Sequence, residues 1–505
     1  MLDLLTTGFA VVFNPKMFLL LIFAVFLGTL FGALPGVSAT MAVTLGIPFT
    51  YSMNAVDAIA FLVAIYCASI TGGGMTAILF KIPGVPSSAP TTYDGFPMAQ
   101  QGKAGKALGI QLICSAIGGM FAAICMLLLS PQLTQAALSF GPAELFAIAF
   151  MGLSILTSLE TDNICRTLIS GLIGLLLACI GLDPLLGVPR LTFGTRFLTS
   201  GIEMIPVMIG FFAVTEVLKQ TAKPAKLKAV GDSSSMKCEM PTLKEILSVK
   251  WVILRCSILG TVVGILPGAG ATIASFLCYS TEVKLSKHPE KFGTGCIDGI
   301  AAPETGNNAA CGGAMVPLLS LGIPGGNAAA IMMSALVLKG VTMGPLLLID
   351  QPQFLAATFS SMFVANIIMV FAAIIIARIF VKVLKIPYSI LGPTIIMMAT
   401  IGAFATKNTA VDVVLMAISG LIGFVFVTCK FNSSAMILGL VLGVICESNL
   451  RRAVTIAEGA NLWQAFGNVM TRPITAFILV ICAVVLLSPV VKPMLKKNKE
   501  QKAAV

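Results

Sequence analysis

Apolar runs of about twenty residues recur along the chain, and each approaches the length needed to cross a hydrocarbon layer about 30 Å thick. Clear examples are Phe18–Leu34, Leu108–Leu129, Leu168–Leu182, Phe354–Phe380 and Ala476–Val491. Across 505 residues only 10% are charged and 57% are hydrophobic, where a soluble domain carries roughly 25% charged residues. The pattern predicts an all-α polytopic protein of the bacterial inner membrane. No Lys/Arg-rich segment precedes the first run and many runs follow it, so it reads as the first membrane helix rather than a secretory signal.

The formal net charge of +11 would suggest nucleic acid in a soluble protein. Here the lysines gather in loops, as the positive-inside rule requires, and no nucleic-acid partner is expected. Residues 219–250 hold seven lysines against three acids and read as a basic cytoplasmic linker. The tail 492–505 is also basic and is expected on the same side. The 13 cysteines are scattered without a Cys-x-x-Cys pair and read as small hydrophobes. The single histidine, His288, sits in a polar loop. With no Walker A sequence, no paired histidines and no Ser/His/Asp set, neither an enzyme nor a cofactor is expected.

Two segments match each other. Gly28–Thr40 and Gly260–Thr272 align without gaps and share eight of thirteen residues, among them Leu34-Pro35-Gly36 and Leu266-Pro267-Gly268. Gly72–Ala89 answers Gly313–Ala330 through a shared Ile-Pro-Gly, and Ile-Ser-Gly-Leu-Ile-Gly occurs at 169–174 and 418–423. Three matched blocks in one order predict a duplication. The first transmembrane repeat covers 1–218, the linker 219–250 and the second repeat 251–450. A connecting segment and one extra C-terminal helix occupy 451–491. An odd number of crossings per repeat would invert the halves, a common plan in secondary transporters. Arg451 and Arg452 would then be periplasmic, against the charge rule.

Proline inside a membrane helix frees backbone groups that need protein or a water-filled cavity as partner. It also creates a helix N-terminus at membrane depth, suited to an anion. Close helix packing is the plainer reading of one such motif; its recurrence in both halves favours a transport site. The expected substrate-binding residues at the breaks are Pro35, Gly36, Ser38, Ala39, Thr40, Gly268, Gly270 and Thr272. Ser69, Thr71, Gly72, Gly73, Asn307 and Asn327 join them. The polar stretches Ser69–Gly74 and Pro303–Gly313 are expected as tips of re-entrant hairpins. Thr305 and Asn308 are the expected Na⁺ ligands, Ser38 and Thr40 a second ion site, and Glu304 the proton-binding group if the coupling ion is H⁺. Asp94 reads as the organiser of a turn before Gly95.

At these residues the chain resembles the TctA family, the large membrane subunits of tripartite tricarboxylate transporters. The resemblance rests on the Leu-Pro-Gly segments of both halves, on Gly72–Gly109, and on Ala302–Gly325. It implies a secondary transporter importing carboxylates such as citrate. It also implies a small TctB-like membrane subunit and a TctC-like periplasmic substrate-binding protein as partners. An elevator-type carrier is expected by fold-level analogy; a channel or a scaffold subunit without its own ion coupling is the alternative.

Overall fold

The computed structural model describes residues 2–34, 37–159, 164–183, 187–222, 241–268, 270–383, 388–457 and 461–487. Most of the basic linker and the whole basic tail lie outside these residues, as do Pro35 and Gly36. Helices dominate, and the described residues contain one sheet, a two-residue pairing of Gly181–Leu182 with Pro189–Arg190. Eight of the described helices are long and apolar enough to cross a membrane, or nine counting a bent pair as one span. The chain is a multi-pass membrane protein.

It folds as two compact units, Met1–Thr134 with Ile205–Phe424, and Gln135–Met204 with Val425–Val505. In the first unit, helix α1 (Pro15–Ala33) starts at Asn14, whose side chain accepts the Lys16 N–H at 3.1 Å. Pro15 occupies the first turn, where its missing N–H costs nothing. Helix α2 (Ala39–Thr50) starts at Ser38, which caps it by accepting the Met41 N–H at 3.1 Å. Asn54 caps α3 (Ala55–Phe80) in the same way through the Asp57 N–H.

Packing fixes the directions. Gly28 lies on Ile65 and Gly32 on Ser69, so α1 and α3 run parallel. The rings of Phe23, Phe49 and Phe61 meet pairwise, so α2 runs back between them. Helices α1 and α2 therefore form a hairpin, and near its closed end Gly32 lies at the level of Ser69, partway along α3. At Lys81 (φ 59°) the chain reverses and dips inward again. Gly84 N–H donates to the Gly73 carbonyl at 3.1 Å and the Ser88 hydroxyl to Ile70 O at 3.4 Å. Helix α4 (Thr91–Met98) then climbs out, with Gly95 on Ile78, and α5 (Ala104–Leu138) follows.

The later part of this unit is built alike. Helices α6 (Lys250–Ile265) and α7 (Gly270–Leu285) are antiparallel, tied by Arg255–Glu282 at 2.5 Å and by the Cys278 thiol, which donates to the Cys256 carbonyl at 3.7 Å. Gly268 (φ 82°) and Gly270 (φ 63°) turn the chain at the tip in a conformation that favours glycine. Helix α8 (Asp298–Leu321) runs parallel to α6, with Gly260 on Gly306 and Gly264 on Ala310. Gly325 then folds back onto Ala314 and accepts the Gly268 N–H at 3.1 Å. Helix α9 (Asn327–Val337) packs against α2, and the turn Pro86–Ser88 against α7. Helix α10 (Pro352–Val383) lies along α1 and α3.

The described residues at the two hairpin tips are Leu34 with Val37 and Ser38, and Leu266–Gly268. Ser69–Gly74 and Pro303–Gly313, expected as tips, lie instead inside the unbroken helices α3 and α8. Their glycines explain the difference: Gly72 receives the Thr29 carbonyl and Gly313 the Thr261 carbonyl. They are surfaces against which neighbouring helices press, not turns. In the C-terminal region, Trp463–Met470 and Pro473–Leu487 meet at 84°.

In the second unit, Ile164–Ala178 packs on Ser433–Ile456, with Gly174 on the Met436 carbonyl and Gly439 on that of Gly171. Arg190 and Arg451 both bind Asp183 and Glu447, forming a four-member ion network.

The glycine contacts yield a stability test. A Cβ on Gly32 would overlap Ser69 O, and one on Gly264 would overlap Ala310 O. Gly32→Val and Gly264→Val are each expected to lose about 1–3 kcal/mol by forcing the backbones apart. Gly467→Ala, where nothing lies within 4 Å, should shift stability by less than about 0.5 kcal/mol. Thermal denaturation in detergent checks all three.

Candidate functional site

Helices α3 and α8 run antiparallel through the middle of the first unit, with Thr71 against Asn308 and Gly74 against Glu304. One helical turn separates Glu304 from Asn308, so both project to one face. The same spacing on α5 aligns Gln111 with Ser115. All five side chains at this crossing, with Thr91, are fully buried.

Glu304 is held by three neutral donors. The Thr91 hydroxyl donates to Oε1 at 2.5 Å. The Ser115 hydroxyl and the Gln111 amide donate to Oε2 at 3.0 and 3.2 Å. The same Gln111 nitrogen donates to the Thr71 carbonyl at 2.8 Å. The Thr71 hydroxyl donates to Asn308 Oδ1 at 3.1 Å, and Asn308 Nδ2 donates to Asn307 Oδ1 at 2.9 Å. Asn307 Nδ2 reaches the Ser87 carbonyl at 3.5 Å, tying the network to the tip of the inward loop before α4.

Two features give this network its chemistry. Among the described residues, no lysine, arginine or histidine forms an ion pair with Glu304. An ionised carboxylate buried without a counter-charge is strongly disfavoured. Oxygens are also left over: Gln111 Oε1 and Ser87 Oγ are buried without a hydrogen-bond partner. Gly74 makes the approach feasible, because a Cβ there would stand 2.6 Å from Glu304 Oε1 and 2.7 Å from Gln111 Nε2.

Of the residues expected from sequence, the structure gathers Thr71, Glu304, Asn307 and Asn308 into this one network. Among the described residues no hydrogen bond joins Thr305, Ser38, Thr40 or Thr272 to it. Ser38 caps α2, the Thr40 carbonyl accepts the Thr44 hydroxyl, and the Thr272 carbonyl accepts that of Ser275. The Ser69 hydroxyl is turned onto Tyr66 O, while Gly72 and Gly73 serve packing. Ala39 is buried at the start of α2. Gly270 neighbours Gly326 beside Asn327, with open space where its side chain would be. Pro35 and Gly36 lie outside the described residues. Thr91, Gln111 and Ser115 were not expected; an amide and a hydroxyl four residues apart within the apolar run 108–129 were the signal for two of them.

Asp94 does not organise its own turn. Its Oδ1 accepts the N–H groups of Gly293, Gly295 and Cys296, each at 2.9 Å, and its Oδ2 accepts the Tyr279 hydroxyl at 2.9 Å. It thereby fixes the loop that leads into α8. Burial, and then the Asp94 charge, push the Cys296 thiol in this loop up to about 12.

Comparison with known proteins gives a consistent picture. The model of the family described as "Tripartite tricarboxylate transporter TctA family" matches residues 18–438. A relative from Agrobacterium vitis, an uncharacterized 52.8 kDa protein in the TAR-I ttuC' 3' region, is 35% identical over 498 residues. That match spans 97% of this chain and 98% of the relative. An uncharacterized protein in the TAR-II ttuC' 3' region of the same organism is 37% identical over 237 residues, 46% of this chain and 96% of its own. No solved structure matches.

The Asp94 contacts carry their own test. Asp94→Ala strands three backbone donors and is expected to cost about 1–3 kcal/mol, with faster amide exchange at 293, 295 and 296. Asp94→Asn keeps an acceptor oxygen and should show a smaller effect. Hydrogen-exchange mass spectrometry of the two variants measures the difference.

Proposed function

This chain belongs to the tripartite tricarboxylate transporter TctA family, and on that premise we propose that it imports tricarboxylates or related carboxylates by Na⁺ or H⁺ symport. In this reading it is the large membrane subunit of a binding-protein-dependent secondary transporter in the bacterial inner membrane. A TctB-like small subunit and a TctC-like periplasmic protein work with it. The observation that carries the coupling is the fully buried Glu304 network, in which no cationic side chain among the described residues pairs with the carboxylate.

The energetics demand such coupling. Moving one charge across the membrane is worth roughly 2.3 kcal/mol per 100 mV, so a trianion entering a negative interior is opposed by about 7 kcal/mol per 100 mV. The sequence has no nucleotide-binding motif to supply that work. A cation bound beside Glu304 offsets part of the charge and draws on its own gradient. The anion itself is held by backbone N–H groups at the hairpin tips, where α2 and α7 begin.

The same reading makes the chain a pair of inverted repeats. In support, α1–α2 lies on α3 as α6–α7 lies on α8, with Gly32 on Ser69 where the other has Gly264 on Ala310. Helices α3 and α8 run in opposite directions, so the two Leu-Pro-Gly hairpins enter from opposite faces and their tips reach the same depth. Transport by an elevator motion would carry these hairpins together past the remaining helices.

The test is substrate uptake into proteoliposomes holding this chain and its small partner, with the binding protein outside. Collapsing both the Na⁺ and H⁺ gradients is expected to reduce uptake to the leak of empty vesicles. Uptake unchanged by that treatment would refute cation coupling.

A further inference from the structure

Resting on the coupling reading above, we infer that the coupling ion is Na⁺ and that its ligands are Glu304, Gln111, Ser115 and the main-chain carbonyl of Thr71. The inference starts from one amide. Gln111 Nε2 lies between two acceptors, 2.8 Å from Thr71 O and 3.2 Å from Glu304 Oε2, while Oε1 of the same buried amide has no partner. The two ends of a glutamine amide are nearly the same size. Rotated by half a turn, the amide places Oε1 where the nitrogen stood. Three oxygens then face one another, an arrangement that is repulsive unless a cation sits among them.

The amide is thus a two-state element. With its nitrogen inward, it supplies partial positive charge and holds Thr71 and Glu304 together. With its oxygen inward, it becomes a ligand. Ser115 follows, because a hydroxyl that now donates to Glu304 Oε2 at 3.0 Å can rotate and present a lone pair to the ion. Thr91 stays on Oε1 and keeps the carboxylate in place.

Charge and size select the ion. One carboxylate with no paired cationic side chain is neutralised by a single positive charge, whereas a divalent ion would leave a net charge buried. The ligands are hard oxygens, suited to an alkali or alkaline-earth ion rather than a soft metal. The oxygens are closely spaced, since Thr71 O and Glu304 Oε2 lie 2.8 and 3.2 Å from the point that Oε1 would take, and so tight a cage favours Na⁺ over the larger K⁺. Gly74 leaves the α3 side of the cage open to the ligands. Asn308 is less suited as a ligand, since its Oδ1 is taken by the Thr71 hydroxyl and its Nδ2 by Asn307. The site therefore lies one helical turn from that residue, on the α5 side of Glu304.

The experiment is thermal unfolding of the purified full-length protein in detergent, titrated with NaCl, KCl or choline chloride at constant pH and ionic strength. Na⁺ is expected to raise the midpoint saturably while K⁺ and choline do not. Gln111→Ala and Ser115→Ala should each weaken half-saturation on the order of 10–100-fold, and Glu304→Gln should abolish the shift. Should Glu304→Gln fail to fold, the two neutral variants decide the matter. No Na⁺-specific shift in the native protein, or a shift undiminished in both Gln111→Ala and Ser115→Ala, overturns the site. Proteoliposome uptake separates the two readings. A Na⁺ shift that needs these residues, without Na⁺-driven uptake, keeps the site and removes the symport reading. Na⁺-driven uptake with native Na⁺ dependence in both neutral variants keeps symport and removes the site.

Discussion

A helix broken inside a membrane exposes backbone groups that lipid cannot satisfy, so a break needs protein or a water-filled cavity around it. That constraint organises the first unit. At the tips, Leu34 and Leu266 turn their N–H groups onto Phe31 O and Val263 O, at 3.1 and 3.2 Å. Gly268 reaches across to Gly325, and Gly84 to Gly73. The Gly268 tip is thus covered by the Ile-Pro-Gly segment that follows α8, and Gly84 of the other Ile-Pro-Gly segment lies on the end of α1. The cover is close only because glycines line both sides: Gly84 meets the Gly32 carbonyl, and Gly325 meets that of Gly264. The repeated motifs in the sequence are two halves of one packing solution, a broken hairpin and the strip that seals it.

The second consequence is electrostatic. Sealing the breaks leaves α3 and α8 side by side in a dry interior, and the carboxylate of Glu304 is carried there. When the two segments are aligned with Gly72 matched to Gly313, Glu304 corresponds to Val63 and Asn308 to Cys67, so the matched position of the charge is apolar. The packing device is shared while the ionisable group is not. A single uncompensated carboxylate among neutral donors is a place where the presence of one cation changes the energy of the whole crossing. In the proposed mechanism that sensitivity links ion occupancy to the position of the inward loop at Ser87 and Thr91, since both ends of that loop's tip are hydrogen-bonded to α8.

Much of this was readable from residues alone. Long apolar runs gave the membrane class, the Leu-Pro-Gly pair gave the broken helices, and Glu304 with Asn307 and Asn308 marked the polar crossing. The hairpin tips were misplaced for a definite reason. Glycine-rich polar stretches such as Ser69–Gly74 resemble turns, and only the partner helix reveals that their bare backbones are contact surfaces. Gln111 and Ser115 are not legible as site residues because they lie in an apolar run whose meaning is set by what faces it. Asp94 looked local, but its four partners come from residues 279–296. No local pattern encodes a contact of that sequence separation.

The opposed entry of the two hairpins is the claim on which the transport reading stands, and sidedness measures it directly. The turn after α2 is exposed at Ser52, and the loop after α7 is exposed at Lys287. Single cysteines placed at these positions, in a chain otherwise free of reactive cysteine, can be labelled with a membrane-impermeant maleimide in intact and permeabilised cells. The account predicts that Ser52→Cys reacts from the periplasm, while Lys287→Cys reacts only after the membrane is opened. Labelling of both positions from the same face would contradict it.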